Sequence, residues 1–274
     1  MHILVCIKGI IDPDVPTALF DVDEEAKAPA PLSGVRTLMS PFDKQAIEGA
    51  LRIRDTRGAV RISLLCMGPD SSRTIIKEGQ ALGADEAYLL TDPLFEIADS
   101  FTTARTLAAA ITTIGDVASV LTGRDLVLTG RQSADWDSGV VGGGIAELLN
   151  VPAITLAASI EIDGQTVRVR RALVDGAETV EAPLPAVVTV AHEMGAPRKA
   201  SLRETMRAAS KPVTVWTASD IGLAADEIGN HGRRAVPERL YIPLSDVKCE
   251  YITGETPAAV ASALITRLQE EKLL

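Results

Sequence analysis

The stretch DLVLTGRQSADWDSGVVGGGIAELL, residues 125–149, decides how this chain folds. Leu126-Val127-Leu128 reads as a short buried strand. A polar, acidic loop follows, and from about Gly142 to Leu149 the residues turn helical. A strand passing through a loop into a helix is the repeating unit of a parallel sheet covered by helices. In such a sheet ligands collect beyond the carboxyl ends of the strands, which is where residues 130–141 fall. Unpaired N–H groups and the dipole at a helix start favour an anion there. Ser138 and Gly139 can bring donors to a phosphate, and glycines 142–144 let the backbone approach a ligand or a neighbouring element. A helix start with glycines chosen for packing reads the same residues equally well.

Outward from this unit the same alternation recurs. Ile3 to Ile7 read as a fully buried strand, AVRISLLCM as the next strand, and GADEAYLL leads into a third. MSPFDKQAIEGALRIRD opens a helix, with Ser40 as cap, Pro41 at the first helical position and Asp43 three beyond the cap. Ser71 or Ser72 starts a second helix that runs through Leu82, and a third spans about Ser100 to Ile114. Residues 8 to 39, with prolines at 13, 16, 29 and 31, are irregular. After residue 150 the pattern changes. Asp163-Gly164 between two alternating segments predicts a β-hairpin, and TVEAPLPAVVTV adds more strand. Periodicity is lost from about Ala225 to Thr256, before a terminal amphipathic helix from Pro257 to Lys272. Thirty irregular residues are unusual inside a compact domain and read as an arm lying on another subunit. The expected division is 1–224, an α/β domain, and 225–274, the arm with its helix.

Composition narrows the function. Nearly half of the 274 residues are apolar but only 3% are aromatic, so Ala, Val, Leu and Ile must build the core. That mix suits buried parallel strands. The net charge of −10 argues against a nucleic-acid partner. Cys6, Cys66 and Cys249 lie far apart, and His2, His192 and His231 have no ligand spacing, so no metal site is expected. No signal peptide or membrane span is read, which gives a cytoplasmic expectation without membrane insertion. The loop is neither a Walker loop nor a GxGxxG fingerprint, so a nucleotide would be held by a different scheme. Asp135 and Asp137 would oppose a phosphate at close range, and are read as orienting donors or meeting ribose and base. Ser133 and Ser138 have no histidine near them in sequence and G-x-S-x-G is absent. With no catalytic set, a binding or electron-carrying role outranks hydrolysis.

Five blocks together resemble the beta subunit of electron transfer flavoprotein. They are ILVCIKGIIDPD, MSPFDKQAIEGALRI, CMGP with GQALGADEAYLL, LTGRQSADWDSGVVGGGIAELL, and PLPAVVTVAHEMGAPRKASLRETMRA. The resemblance implies a doubly wound, mostly parallel sheet of the adenine-nucleotide alpha-hydrolase-like kind, with an added β-hairpin region and an extended C-terminal arm. It implies a heterodimer with an alpha subunit, which holds FAD at or near the interface. This chain would hold an adenine nucleotide: AMP in ordinary members, or a second FAD in electron-bifurcating, NADH-oxidising ones. Carried over by position, the cofactor-binding residues are Cys6, Ser40, Pro41, Phe42, Asp43, Met67, Gly130, Arg131, Gln132, Ser133, Asp135, Asp137, Ser138, Gly139, Val140 and Val141. Phe42 matches an aromatic that approaches the alpha-subunit flavin. Where Ser40 stands the family pattern often has Asn, and where Trp136-Asp137 stand it often has Gly-Asp. Residues 191–206 match a recognition loop. Leu202 would anchor acyl-CoA dehydrogenase-type flavoenzymes or other redox partners, with Arg198 and Arg203 on the basic rim. The function implied is an electron carrier rather than a classical enzyme. A reading of another class, a nucleotide-sensing module like the universal stress proteins, accounts for residues 1 to 150 but leaves residues 191–206 and the arm without a role.

Overall fold

The computed structural model describes residues 1–16, 19–30, 35–114, 125–243 and 249–274. Pro31 of the irregular stretch and residues 244–248 of the arm lie outside these. Nine strands form one sheet. They are β1 (His2–Ile7), β2 (Arg61–Met67), β3 (Glu86–Leu90), β4 (Leu126–Gly130), β5 (Ala153–Asp163), β6 (Thr166–Leu173), β7 (Gly176–Pro183), β8 (Ala186–Val190) and β9 (Thr214–Trp216). Their order across the sheet is β7-β6-β5-β8-β4-β1-β2-β3-β9. Only the two pairings that involve β6 are antiparallel. The remaining pairs are parallel, with Ile3 opposite both Ile62 and Leu126. The doubly wound, mostly parallel α/β architecture expected from the sequence is therefore the one observed. The hairpin at Asp163-Gly164 also forms, with Asp163 opposite Thr166 and Gly164 at φ +58°. A second hairpin joins Leu173 to Gly176, with Val174-Asp175 at its tip.

The side-chain alternation of β1 explains why both faces are covered. Ile3, Val5 and Ile7 face one way and Leu4 and Cys6 the other, and all are buried. The first set packs with Ile47 and Leu51 of α1 (Pro41–Arg57) and Ile75 and Ile76 of α2 (Arg73–Leu82). The second packs with Leu107 and Ile111 of α3 (Ser100–Ile114) and Ile145 and Leu149 of α4 (Val141–Leu149). The chain winds from β1 through β2 to β3 on one side, then returns to β4 on the other side of β1. The carboxyl ends of β1 and β4 therefore flank the point where the winding reverses, the place where such sheets open a crevice.

Two sequence expectations about helix starts fail. Ser40 occupies the cap position of α1, but its side chain makes no capping bond, and Asp43 turns inward instead of closing a capping box. Ser72 at the start of α2 also makes no capping bond. By contrast, α5 (Leu202–Ala209) has a complete capping box between Ser201 and Glu204.

By their contacts the residues group into two units. The first, Met1–Phe20 with Ala30–Glu238, contains the sheet and α1 to α5. The second comprises Asp21–Pro29 and Arg239–Leu274. In it Val22–Asp23 pairs antiparallel with Ala28–Pro29. Its helix α6 (Pro257–Glu270) starts at Thr256, whose side chain accepts a bond from the Ala259 N–H. No residue of α6 is buried, and Leu264, Ile265 and the nearby Tyr251 are exposed. Among the described residues no helix is long and apolar enough to cross a membrane.

Candidate functional site

The residues nominated from sequence converge at the carboxyl ends of β1, β2 and β4. Cys6 is the next-to-last residue of the wholly buried β1, Met67 closes β2 and Gly130 closes β4. The start of α1 is sewn into the gap between β1 and β4. The Ser40 N–H donates to the Lys8 carbonyl at 3.0 Å. The Asp43 carboxylate accepts from the Lys8 N–H at 2.7 Å and from the Gly130 N–H at 3.2 Å. This approach explains the glycine at position 130. A Cβ there would lie 2.6 Å from Asp43 Oδ1 and 2.7 Å from Phe42 Cβ. Burial pushes the Asp43 carboxyl up to about 7, against the lowering effect of the two N–H bonds and the Lys8 charge. Burial also raises the Cys6 thiol far above its ordinary range, so it is a core thiol rather than a nucleophile. Pro41 is exposed at the first position of α1, and the Arg131 guanidinium lies 5.2 Å from the centre of the Phe42 ring.

Beyond Gly130 the loop is held by its own acids. Asp135 forms an ion pair with Lys8 Nζ, at 2.9 and 2.7 Å to its two oxygens, and accepts the Trp136 N–H at 3.0 Å. Asp137 accepts from Gln132 Nε2 at 2.7 Å, and its own N–H donates to the Ser133 carbonyl at 3.0 Å. Both acids therefore orient donors within the protein. Asp137 and Gly139 have left-handed backbones, at φ +51° and +65°. Ser138 receives a hydrogen bond from Ser100 Oγ at the start of α3, 3.0 Å away. Val140 precedes α4 with no side-chain cap, and the Gly144 N–H is bonded back to the Val140 carbonyl. The N–H groups of Val141, Gly142 and Gly143 precede that bond and have no acceptor within the helix. The three glycines divide their work. A Cβ on Gly142 would strike Thr189 and Thr129, one on Gly144 would strike Ala104, and Gly143 faces open space. Packing thus accounts for two of them, and the third is exposed.

These features fit a nucleotide with a phosphate end. No side chain caps the start of α4, Lys8 reaches the loop before it through Asp135 with its side chain 42% exposed, and the Ser40 hydroxyl is buried without a partner among the described residues. Sequence reasoning missed Lys8, which carries no local motif and meets Asp135 only through the fold. Among the described residues no group of acids, histidines and cysteines could hold a metal ion.

The residues nominated for partner docking lie elsewhere on the first unit. Arg198 is drawn inward: its guanidinium bonds Glu48 of α1 at 2.9 Å and Asp55 at 2.7 Å, and its N–H donates to Glu48 at 3.1 Å. Arg52 of α1 holds the Met194 carbonyl at 2.6 Å, so residues 192–198 are strapped along α1. Leu202 begins helix α5 rather than sitting on a loop, and it is 78% exposed. Met206, one turn later, is 69% exposed, and Arg203 and Arg207 flank the pair. Apolar residues exposed together with basic neighbours suit a small docking patch.

Comparison with known proteins gives concordant results. The electron transfer flavoprotein domain matches residues 33–221. The chain is 35% identical over 275 residues to the "Caffeyl-CoA reductase-Etf complex subunit CarD" of Acetobacterium woodii, covering 100% of both chains. It is 35% identical over 272 residues to the "Electron transfer flavoprotein subunit beta" of Clostridium acetobutylicum, with 99% of each covered. "Protein FixA" of Azorhizobium caulinodans is 30% identical over 272 residues, 98% of this chain and 94% of that one.

Proposed function

From the premise that this chain belongs to the electron transfer flavoprotein family, as a beta subunit, we propose that it holds an adenine nucleotide at the crevice between β1 and β4 and pairs with a flavin-bearing alpha subunit. The observation that carries the nucleotide reading is the uncapped start of α4 at the reversal point of the sheet. The amides of residues 141–143 would take the phosphate, with Lys8 supplying positive charge nearby. Asp135 and Asp137 are already occupied with Lys8 and Gln132, which lessens their repulsion of an anion. Bound flavin supplies one- and two-electron chemistry, while the protein supplies position, access and electrostatics. Phe42 would lie towards the flavin of the alpha subunit. Residues 225–238, expected in the arm, group with the first unit, and it is the segment Arg239–Leu274 that would embrace that subunit, a role supported by exposed Tyr251, Leu264 and Ile265.

Denaturing the purified complex and identifying the released nucleotides tests this reading. A protein of different sequence should co-purify, with one FAD and one AMP per pair. Two FAD per pair would mean that this chain holds flavin and would favour the bifurcating, NADH-oxidising form. A chain that purifies alone without nucleotide would refute both.

Docking of acyl-CoA dehydrogenase-type flavoenzymes or other redox partners is proposed for the exposed face of α5. Leu202→Ala should lower the rate of electron transfer to or from such a partner by at least about fivefold, since one buried leucine contributes roughly 1.5–3 kcal/mol. Thermal stability and nucleotide content should not change, because Leu202 is exposed in this chain. Unchanged transfer rates in stopped-flow measurements would remove the assignment.

A further inference from the structure

Trp136 is a costly residue in its position. The chain has two tryptophans, three tyrosines and four phenylalanines. Trp216 is half-buried and packs on Tyr88, with ring centres 4.9 Å apart. Trp136 is 53% exposed in the middle of the loop between β4 and α4. An aromatic ring left in water forgoes much of the stabilisation that its area would give on burial, so an exposed tryptophan marks a contact.

The backbone that carries Trp136 is held on both sides. Before it, Asp135 accepts the Trp136 N–H and is anchored by Lys8 at the end of β1. After it, Asp137 is held in a left-handed conformation, its carboxylate on Gln132 and its N–H on Ser133. A side chain on such a support loses little freedom when a ligand arrives, which favours affinity. The amides of residues 141–143, which have no acceptor within α4, follow a few positions later. A flat apolar face and a set of anion donors in one short loop match the two ends of a nucleotide.

We propose that Trp136 is a stacking platform for the heteroaromatic ring of the nucleotide held by this chain. The proposal rests on the nucleotide reading above and adds to it the residue that grips the ring. The amides at the start of α4 take the phosphate, and the indole covers one face of the base or of the isoalloxazine. Base stacking on an aromatic is worth roughly 1–3 kcal/mol per ring, a roughly 5- to 150-fold change in affinity.

The test uses the full chain with any subunit that co-purifies, after its nucleotide is exchanged out. Wild type, Trp136→Phe and Trp136→Ala are titrated with AMP, FAD and riboflavin. Dissociation constants and the quenching of tryptophan fluorescence are both read. Trp136→Ala should weaken binding within the stated range, and Trp136→Phe should keep most of the affinity. The quenching present in wild type and missing from Trp136→Phe reports the indole itself, apart from Trp216. Quenching by both AMP and FAD identifies adenine as the stacked ring, and quenching by FAD and riboflavin but not AMP identifies isoalloxazine. Unchanged affinity in Trp136→Ala would overturn stacking and leave the nucleotide site standing. Loss of the co-purifying subunit with affinity intact would make Trp136 a protein contact and would likewise overturn it. Failure of wild type to bind any of the three would overturn the site and the stacking together.

Discussion

Arg198→Met should destabilise the chain by about 2 kcal/mol in denaturant unfolding, although the residue belongs to a segment that resembles a partner-docking loop. The Glu48 side chain is only 6% exposed, and it accepts from the Arg198 guanidinium, from the Arg198 N–H and from Arg52 Nε. Removing Arg198 leaves a buried carboxylate with one cation, which costs less than stripping it of every partner but more than losing a surface pair. Met keeps much of the aliphatic packing, so the loss reports charge rather than volume. The double variant Glu48→Leu with Arg198→Met should recover most of the stability, because it leaves no carboxylate to satisfy. Additive losses in the two single variants and the double would mean that the pair is not coupled. The pair also has a pH signature. Burial pushes the Glu48 carboxyl up, but the bonds from Arg198 and Arg52 outweigh it and hold the group below its ordinary 4.5. Its stabilising contribution is therefore full above that value and is lost as pH falls through the lowered folded value. In Arg198→Met this acid-side loss should shrink.

The same residue shows what sequence can and cannot reveal here. Arg198 and Glu48 are 150 positions apart, and each alone resembles an ordinary charged surface residue. Nothing local distinguishes an arginine aimed at a partner from one turned inward. Asp43 gives the same lesson. Its place three past Ser40 fits a capping box, yet its carboxylate reaches Lys8 and Gly130, across separations of 35 and 87 residues. The capping box at Ser201 and Glu204, by contrast, is a purely local motif, its two residues standing three apart in sequence. The sheet was more legible because its signal is local. The apolar runs of β1 to β4 are buried on both faces, and the Asp163-Gly164 turn defines its own hairpin. Strand β9 has no sequence signature, because three residues, two of them exposed, give no periodicity. The loop after β4 was found for its glycines. What those glycines do, packing at 142 and 144 and openness at 143, required their neighbours from β4, β8 and α3.

The largest effects should appear only when two buried groups at opposite ends of the sheet are separated. At one end, burial raises Asp43 from 3.8 to about 7, opposed by bonds and charge from Lys8 and Gly130 and reinforced by Asp135. A carboxyl raised in the folded state binds its proton more tightly there than in the unfolded chain. Stability from Asp43 is thus full below pH 3.8 and is lost as pH rises through about 7. At the other end, burial and then Arg61 push His2 down from 6.5 to about 4, against Asp125 and Glu86. The neutral ring is fitted between partners, with Nε2 2.7 Å from Ser63 Oγ, which in turn donates to Glu86, and Nδ1 3.1 Å from Arg61. A histidine lowered in the folded state stabilises above pH 6.5 and loses that contribution as pH falls through about 4. The two windows overlap and their signs are opposite. Each amounts to on the order of 3 kcal/mol, at roughly 1.4 kcal/mol per pKa unit. Wild type should therefore show a nearly flat stability between pH 4 and 7. Asp43→Asn should remove the descending limb, leaving a variant whose stability rises by about 3 kcal/mol across that interval. His2→Gln should do the reverse and lose a similar amount as pH rises. Urea unfolding at pH steps on the three proteins reads both slopes directly, and the slopes stay interpretable even if each variant is destabilised at every pH. If both variants stay as flat as wild type, the two groups do not titrate in opposition, and the buried carboxyl at the crevice carries its charge throughout the range.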